Sequence, residues 1–266
     1  EGLDQAGVKI VNVHTKNPQM GLPTVMALLV LNSAKTGAPI SIMGATYLTS
    51  MRTGAAGALA ARCLARSSSK IVGMVGGGVQ ARTQLLGLSK IFKIQRVIVY
   101  DTYIENARKF EKHARDFLDC EYQIAANVKD ACDCDILVTT MPSRQVVVKE
   151  DWVKPGTHIN AIGADAKGKQ ELESSLTKKA KIIVDDMVQA VHSGEINVPI
   201  SNGELDPKEI HAQIGEILTG KKPGRIDDNE ITIFDSTGLG IHDVATCFAV
   251  YKKALEVGKG SMLEIG

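Results

Sequence analysis

Residues 71–81 read Ile71-Val72-Gly73-Met74-Val75-Gly76-Gly77-Gly78-Val79-Gln80-Ala81, and this stretch decides the fold. Its first five residues form a short apolar run of the kind that is buried on both faces of a parallel sheet. The run stops at Gly76, and the order G-x-G-x-x-A then leads straight into a helical stretch. The first glycine permits a tight turn, the second lets backbone approach a pyrophosphate, and the small Ala81 lets the helix pack close to the strand. Amide groups in the first helical turn face phosphate. Gly76, Gly78, Val79 and Gln80 are therefore candidate coenzyme contacts. Asp101 closes the next strand, where a carboxylate accepts hydrogen bonds from ribose hydroxyls and repels a 2′-phosphate, so the expected coenzyme is NAD rather than NADP.

Working outward from this turn, further apolar strands follow at 96–100, 135–140, 157–162, 181–184 and 231–234. Helical stretches are expected at 79–90, 104–118 and 170–179. Strands alternating with helices imply parallel pairing through crossover connections. The fold class is α/β, with a doubly wound parallel sheet. Upstream lies a small β-rich unit, with strands at 8–13, 25–31 and 40–43 and a turn at 37–39. Residues 47–66 carry small residues at intervals, which suits a helix packed closely against a neighbour and connecting two domains. Residues 194–225 read as a loop followed by a short helix at 207–219, and a last amphipathic helix is expected at 241–256.

Composition narrows the function classes. Lys and Arg number 31 against 30 Asp and Glu, a net charge of +1, which gives no electrostatic ground for nucleic acid or a membrane surface as partner. Hydrophobic residues make up 44% and charged residues 23%, enough apolar surface for a core and too much for disorder. The longest apolar run, 25–31, is far short of the roughly 18 to 20 residues that cross a bilayer. The five cysteines lack C-x-x-C spacing and no signal segment opens the chain, so the expected setting is a reducing cytoplasm, with Cys132 and Cys134 as packed thiols. No histidine shows metal-ligand spacing, and His158 is expected to be packed or hydrogen-bonded; no metal site is expected.

Seven segments then resemble a known family. They are Gly21 to Val25, Ser50-Met51-Arg52-Thr53-Gly54-Ala55-Ala56, the Gly76 to Ala81 turn, His158 to Asp165, Gly168-Lys169-Gln170-Glu171-Leu172, Gly194-Glu195-Ile196 and Phe234-Asp235-Ser236-Thr237-Gly238. Together they are similar to the ornithine cyclodeaminase/μ-crystallin family, and within it to the archaeal-type alanine dehydrogenases. The resemblance covers almost the whole chain. It implies a Rossmann-type NAD-binding domain at 51–237 inserted in a smaller discontinuous substrate and dimerisation domain at 1–50 and 238–266, and a homodimer. Family members carry a further segment ahead of the stretch equivalent to Val8, which completes the substrate domain and supplies an arginine to the substrate carboxylate. By this resemblance the expected substrate domain is incomplete in residues 1–50 and 238–266.

The chemistry implied is hydride transfer from the Cα of an amino acid, which leaves an iminium and a carboxylate to be anchored. By resemblance, Lys9 and Arg52 bind the carboxylate, with Lys9 also assisting proton transfer and Arg52 reaching the coenzyme. A planar guanidinium suits bidentate carboxylate binding. Asp165 follows an apolar strand at its carboxyl end, where ligands bind in doubly wound sheets, and is the expected general base. Its other reading is a cap for a helix starting near Lys169. Thr24, Thr140, Lys169 and Ser236 match coenzyme-contacting positions, and Thr237 a substrate-contacting one. The expected activity is NAD-dependent oxidative deamination of a small L-amino acid, L-alanine to pyruvate and ammonium. An ornithine cyclodeaminase, a reductase of cyclic imines and a non-enzymatic binding protein of the μ-crystallin kind stand as alternatives.

Overall fold

The computed structural model describes residues 3–14 and 16–264. The chain opens with three strands, β1 (Gln5–Val13), β2 (Val25–Ser33) and β3 (Pro39–Gly44), and passes through α1 (Thr46–Leu64). Next come β4 (Ile71–Val75), α2 (Val79–Ser89), β5 (Arg96–Tyr100), α3 (Ile104–Ala114), β6 (Glu121–Ile124), α4 (Val128–Ala131), β7 (Ile136–Thr139) and β8 (His158–Ala161). There follow α5 (Ser174–Lys179), β9 (Lys181–Val184), α6 (Met187–Ser193), α7 (Asn197–Ser201), β10 (Ala212–Gln213), α8 (Ile214–Leu218), β11 (Thr232–Asp235) and α9 (Gly240–Glu256). Contacts divide the chain into two units, residues 1–52 with 239–266, and residues 53–238.

The larger unit holds eight strands in the order β10-β9-β11-β8-β7-β4-β5-β6, all parallel. From β4 the chain winds outward through β5 and β6, then crosses back to β7 on the other side of β4. The sheet is therefore doubly wound, with its switch point between β4 and β7. Alternation along each strand sends side chains to opposite faces. Val97 and Val99 join Met74, Leu85 and Phe110 in one apolar layer, while Ile98 joins Leu137, Ile159 and Leu172 in the other. Each such fully buried side chain contributes roughly 1.5–3 kcal/mol.

A hydrogen-bonded line of polar groups runs through this unit. Arg225 Nη2 donates to Thr232 Oγ1 at 3.1 Å, which lies 2.9 Å from His158 Nδ1. His158 Nε2 lies 3.0 Å from Asn160 Oδ1, and the Asn160 amide donates to the Gly57 carbonyl and to Gln84 Oε1. Gln84 in turn donates to the Thr53 carbonyl. Complete burial pushes the His158 imidazole down to about 3, so it stays neutral, as a packed and hydrogen-bonded residue should. Small residues bring α1 and α2 together, since a Cβ added at Gly54 would collide with the Thr83 carbonyl.

Three expectations were too simple. β6 was not anticipated: its sequence, Glu-Tyr-Gln-Ile, lacks the apolar signal because it is the sheet edge beside β5. The helix expected over 170–179 begins only at Ser174, because Leu172 forms a parallel bridge with Val148 and the Glu171 and Leu172 amides donate to Glu195. The single helix expected over 207–219 is broken into a 3-10 turn at Pro207–Glu209, β10 and α8, each helical piece opened by its own capping box. The intervening Ala212 and Gln213 pair with Ile183 and Val184 at the sheet edge.

In the smaller unit β1, β2 and β3 form an antiparallel sheet. One face packs Leu29 and Leu31 with Val244, Cys247 and Phe248 of α9. The opposite face bears Val8, Ile10, Met26, Leu28 and Ile42, all exposed.

Candidate active site

The larger unit contributes a site at the carboxyl ends of its strands. Gly76 turns at φ 104°, a conformation that glycine adopts without strain, and a Cβ there would lie 2.5 Å from Thr140 Oγ1. Thr140 follows β7, and both its amide and its hydroxyl donate to the Val75 carbonyl, at 2.9 and 3.3 Å. The Gly77 amide donates to Asp101 Oδ2 at 2.8 Å, while Asp101 Oδ1 accepts from the Tyr103 amide and from Asn106. Asp101 thus ties the glycine turn to the start of α3. The first turn of α2 has no side-chain cap, Gly78 and Val79 are exposed, and a Cβ at Gly78 would meet nothing within 4 Å. An uncapped helix end with open space before it and an acid one strand away fits a dinucleotide.

Asp165 lies beyond β8 and forms an ion pair with Lys169. No helix starts near Lys169, so the capping reading of Asp165 fails. The turn between them is held by Asn197, which accepts from the Gly168 amide at 2.8 Å and donates to the Lys169 carbonyl at 2.9 Å. Glu171 accepts from the Met141 amide at 2.7 Å and the Gly163 amide at 3.0 Å, joining the loops after β7 and β8. Buried beside Glu195, its carboxyl is pushed up to about 8; burial raises Asp235 to about 7, and burial with the neighbouring Glu171 raises Glu195. Ser236 and Thr237, just past β11, both reach Asp185.

The smaller unit gathers two cations on one acid. Lys9 Nζ lies 2.6 Å from Asp243 Oδ2, and Arg52 Nε lies 3.0 Å from Asp243 Oδ1. The side chains of Lys9, Arg52 and Asp243 are only 13%, 10% and 3% exposed. Burial lowers the Lys9 pKa, and the Arg52 charge pushes the same way, against the hydrogen bond to Asp243. The trio keeps one surplus positive charge in a poorly solvated place, which attracts a carboxylate. Thr24 lies just ahead of β2, its carbonyl accepting from the His14 amide.

The structure therefore brings Lys9 together with Arg52, Asp165 with Lys169, Ser236 with Thr237, and Thr140 and Asp101 with the glycine turn. Asp243, Asp185, Asn197 and Glu171 were given no role from sequence. Glu171 lies inside a segment that carries the family resemblance, whereas nothing in the local sequence distinguishes Asp243 or Asn197. Among the described residues no group of three or more His, Cys, Asp or Glu is placed to hold a metal ion, and no helix is long and apolar enough to cross a membrane. Cys132 and Cys134 are free buried thiols.

The sequence profile of the ornithine cyclodeaminase/mu-crystallin family matches residues 1–258. An alanine dehydrogenase from Archaeoglobus fulgidus is 53% identical over 98% of this chain and 81% of its own length. Among solved structures, an archaeal alanine dehydrogenase dimer with bound NAD superposes with a TM-score of 0.94 at 52% identity, covering 99% of this chain and 82% of that one. The Delta(1)-pyrroline-2-carboxylate reductase of Thermococcus litoralis, in complex with NADH and L-proline, gives a TM-score of 0.94 at 40% identity over 97% of this chain and 80% of that one.

Proposed function

The chain belongs to the ornithine cyclodeaminase/mu-crystallin family, and on that premise we propose that it is an NAD-dependent dehydrogenase of a small L-amino acid, converting L-alanine, water and NAD to pyruvate, ammonium, NADH and a proton. The observation that carries the coenzyme half is the uncapped start of α2 behind the Gly76–Gly78 turn, at the switch point of the sheet, with Asp101 one strand away. The choice of alanine is supported by the relative of 53% identity.

Gly76, Gly78, Val79 and Gln80 hold the pyrophosphate, Asp101 the ribose, and Thr24, Thr140, Lys169 and Ser236 the remainder of the coenzyme, with Arg52 contributing. Bound NAD supplies a hydride acceptor. Lys9 and Arg52 bind the substrate carboxylate, Arg52 through its Nη fork, while Asp243 keeps both cations from repelling one another. Thr237 orients the substrate. Asp165 stabilises the positive charge left on the substrate after hydride has gone, takes a proton from attacking water at a carboxylate oxygen, and so opens the way for ammonia to leave.

A second reading, reduction of a cyclic imine to an amino acid such as proline, is favoured by the L-proline-bound relative at 40% identity. One assay separates the two, and also the cyclodeaminase and binder alternatives. The protein is incubated with NAD and alanine, ornithine or proline, and NADH absorbance and free ammonia are followed together. NADH and ammonia from alanine are expected. NADH from proline without ammonia makes it the imine enzyme, ammonia from ornithine without NADH makes it a cyclodeaminase, and coenzyme binding without turnover makes it a binding protein.

A further inference from the structure

Asp185 follows β9, and Ser236 and Thr237 follow β11, its parallel neighbour, so all three meet at adjacent strand ends. Asp185 is 5% exposed and its two oxygens take four donors. Oδ1 accepts from the Asp186 amide at 2.8 Å and from Thr237 Oγ1 at 2.9 Å; Oδ2 accepts from Ser236 Oγ at 3.2 Å and from the Gly238 amide at 2.6 Å. A carboxylate has about four lone-pair directions, so this one is fully used, and being an acceptor only it obliges both hydroxyls to donate. Each hydroxyl has a single proton. Thr237 Oγ1 also lies 3.3 Å from the Gln189 side-chain amide, but the nearer charged oxygen takes the proton, and Gln189 then presents its NH2 side.

We infer that Asp185 is a positioning residue that fixes Ser236 and Thr237 as hydrogen-bond acceptors, so that whatever ligand group faces them must bring a donor hydrogen: the N–H of the coenzyme carboxamide at Ser236, that of the substrate amino group at Thr237. The inference rests on the reading that Ser236 contacts the coenzyme. It deepens that reading by giving the contact a direction. Without Asp185 each hydroxyl is free to rotate and accommodates a donor or an acceptor, so selectivity for the N–H partner is lost while the contact surface remains.

The test uses NADH and its reduced 3-acetylpyridine analogue, in which a methyl replaces the amide NH2, each titrated calorimetrically into the full chain. The ratio of the two dissociation constants is read, because a merely structural loss weakens both coenzymes alike and leaves the ratio in place. The parent is expected to favour NADH by about five- to tenfold, the usual value of one hydrogen bond. Ser236→Ala and Asp185→Ser should each bring the ratio close to one, and the double variant should bring it no lower. Asp185→Asn, which preserves volume and one acceptor, is run alongside to secure a folded variant, checked by circular dichroism, and should give an intermediate ratio. An unchanged ratio in folded Asp185 variants, with Ser236→Ala still effective, overturns the inference and leaves the coenzyme contact standing. An unchanged ratio in Ser236→Ala overturns that contact and the inference with it.

Discussion

Asp243 shows how one residue can govern two others that lie far away in the chain. It takes Lys9 through one oxygen and Arg52 through the other, with 191 residues separating it from Arg52. Removing one member of a buried ion cluster leaves the remaining charges uncompensated, at a cost of about 3–5 kcal/mol. Asp243→Ala should therefore lower unfolding stability by about that amount in urea titrations, with Lys9 and Arg52 now in unopposed repulsion. Adding a carboxylate such as pyruvate should recover part of the loss, because an anion between the cations does what Asp243 did; no recovery would mean that the pair does not bind carboxylate. Asp165 makes the complementary case. Asp165→Asn retains shape and loses charge, so turnover should fall by roughly 10²- to 10⁴-fold while NADH affinity, measured by fluorescence titration, is retained. Near-parental activity would remove Asp165 from the base role. Arg52 and Asp165 stand out in the sequence because each sits in a segment with a family likeness, and Lys9 because its position matches a lysine of the family. Their partners do not: a lone Asp in the first turn of a helix reads as a helix-dipole partner, and only the folded chain shows which cations it meets.

At the level of elements, the parts of the fold that were legible are those whose signal is local. β4, β5, β7 and β9 are largely apolar runs, and their order with intervening helices implies a parallel sheet. α1 announced close packing through its small residues. That reading has a consequence: a side chain at Gly54 must displace the Thr83 carbonyl, which is backbone and cannot rotate away. Gly54→Val should destabilise by about 1–3 kcal/mol or more, through overpacking, with the transition midpoint shifted in thermal unfolding. A parental midpoint would show that the two helices part without cost. What failed to show in the sequence lies on either side of β9, at 170–173 and 187–218. There, buried carboxylates set the backbone by accepting amides, as Glu195 does from Glu171 and Leu172, and strand β10 is only two residues long. Neither leaves a periodic pattern.

At the scale of the molecule, the outward face of the β1-β2-β3 sheet bears Val8 at 62%, Ile10 at 58% and Ile42 at 51% exposure, a contiguous apolar surface of the sort that marks an interface. Pairing of two copies through this face should return the mass of two chains in light scattering, and a monomer at micromolar concentration would refute it. The larger unit carries a second whole-body property, set by groups buried in the wrong state for ordinary pH. His158 binds its proton at about 3 when folded against an ordinary 6.5, so between those values the unfolded chain holds more protons and stability is lost as pH falls. Asp235 at about 7 against 3.8, and Glu171 at about 8 against 4.5, behave oppositely: the folded chain holds more protons, and stability is lost as pH rises through that window. Above pH 6.5 only the acids act, so stability should fall from there to about pH 8, by roughly 1.4 kcal/mol per pH unit for each proton held. Trp152 is the single tryptophan and belongs to this unit, so its fluorescence in urea reports the relevant unfolding. Asp235→Asn mimics the protonated acid, keeping an oxygen for the Ile196 amide, and should gain on the parent at pH 8 while matching it near pH 5. Were the variant to show the parent's slope throughout, Asp235 would be ionised in the folded chain and the alkaline loss would have another source.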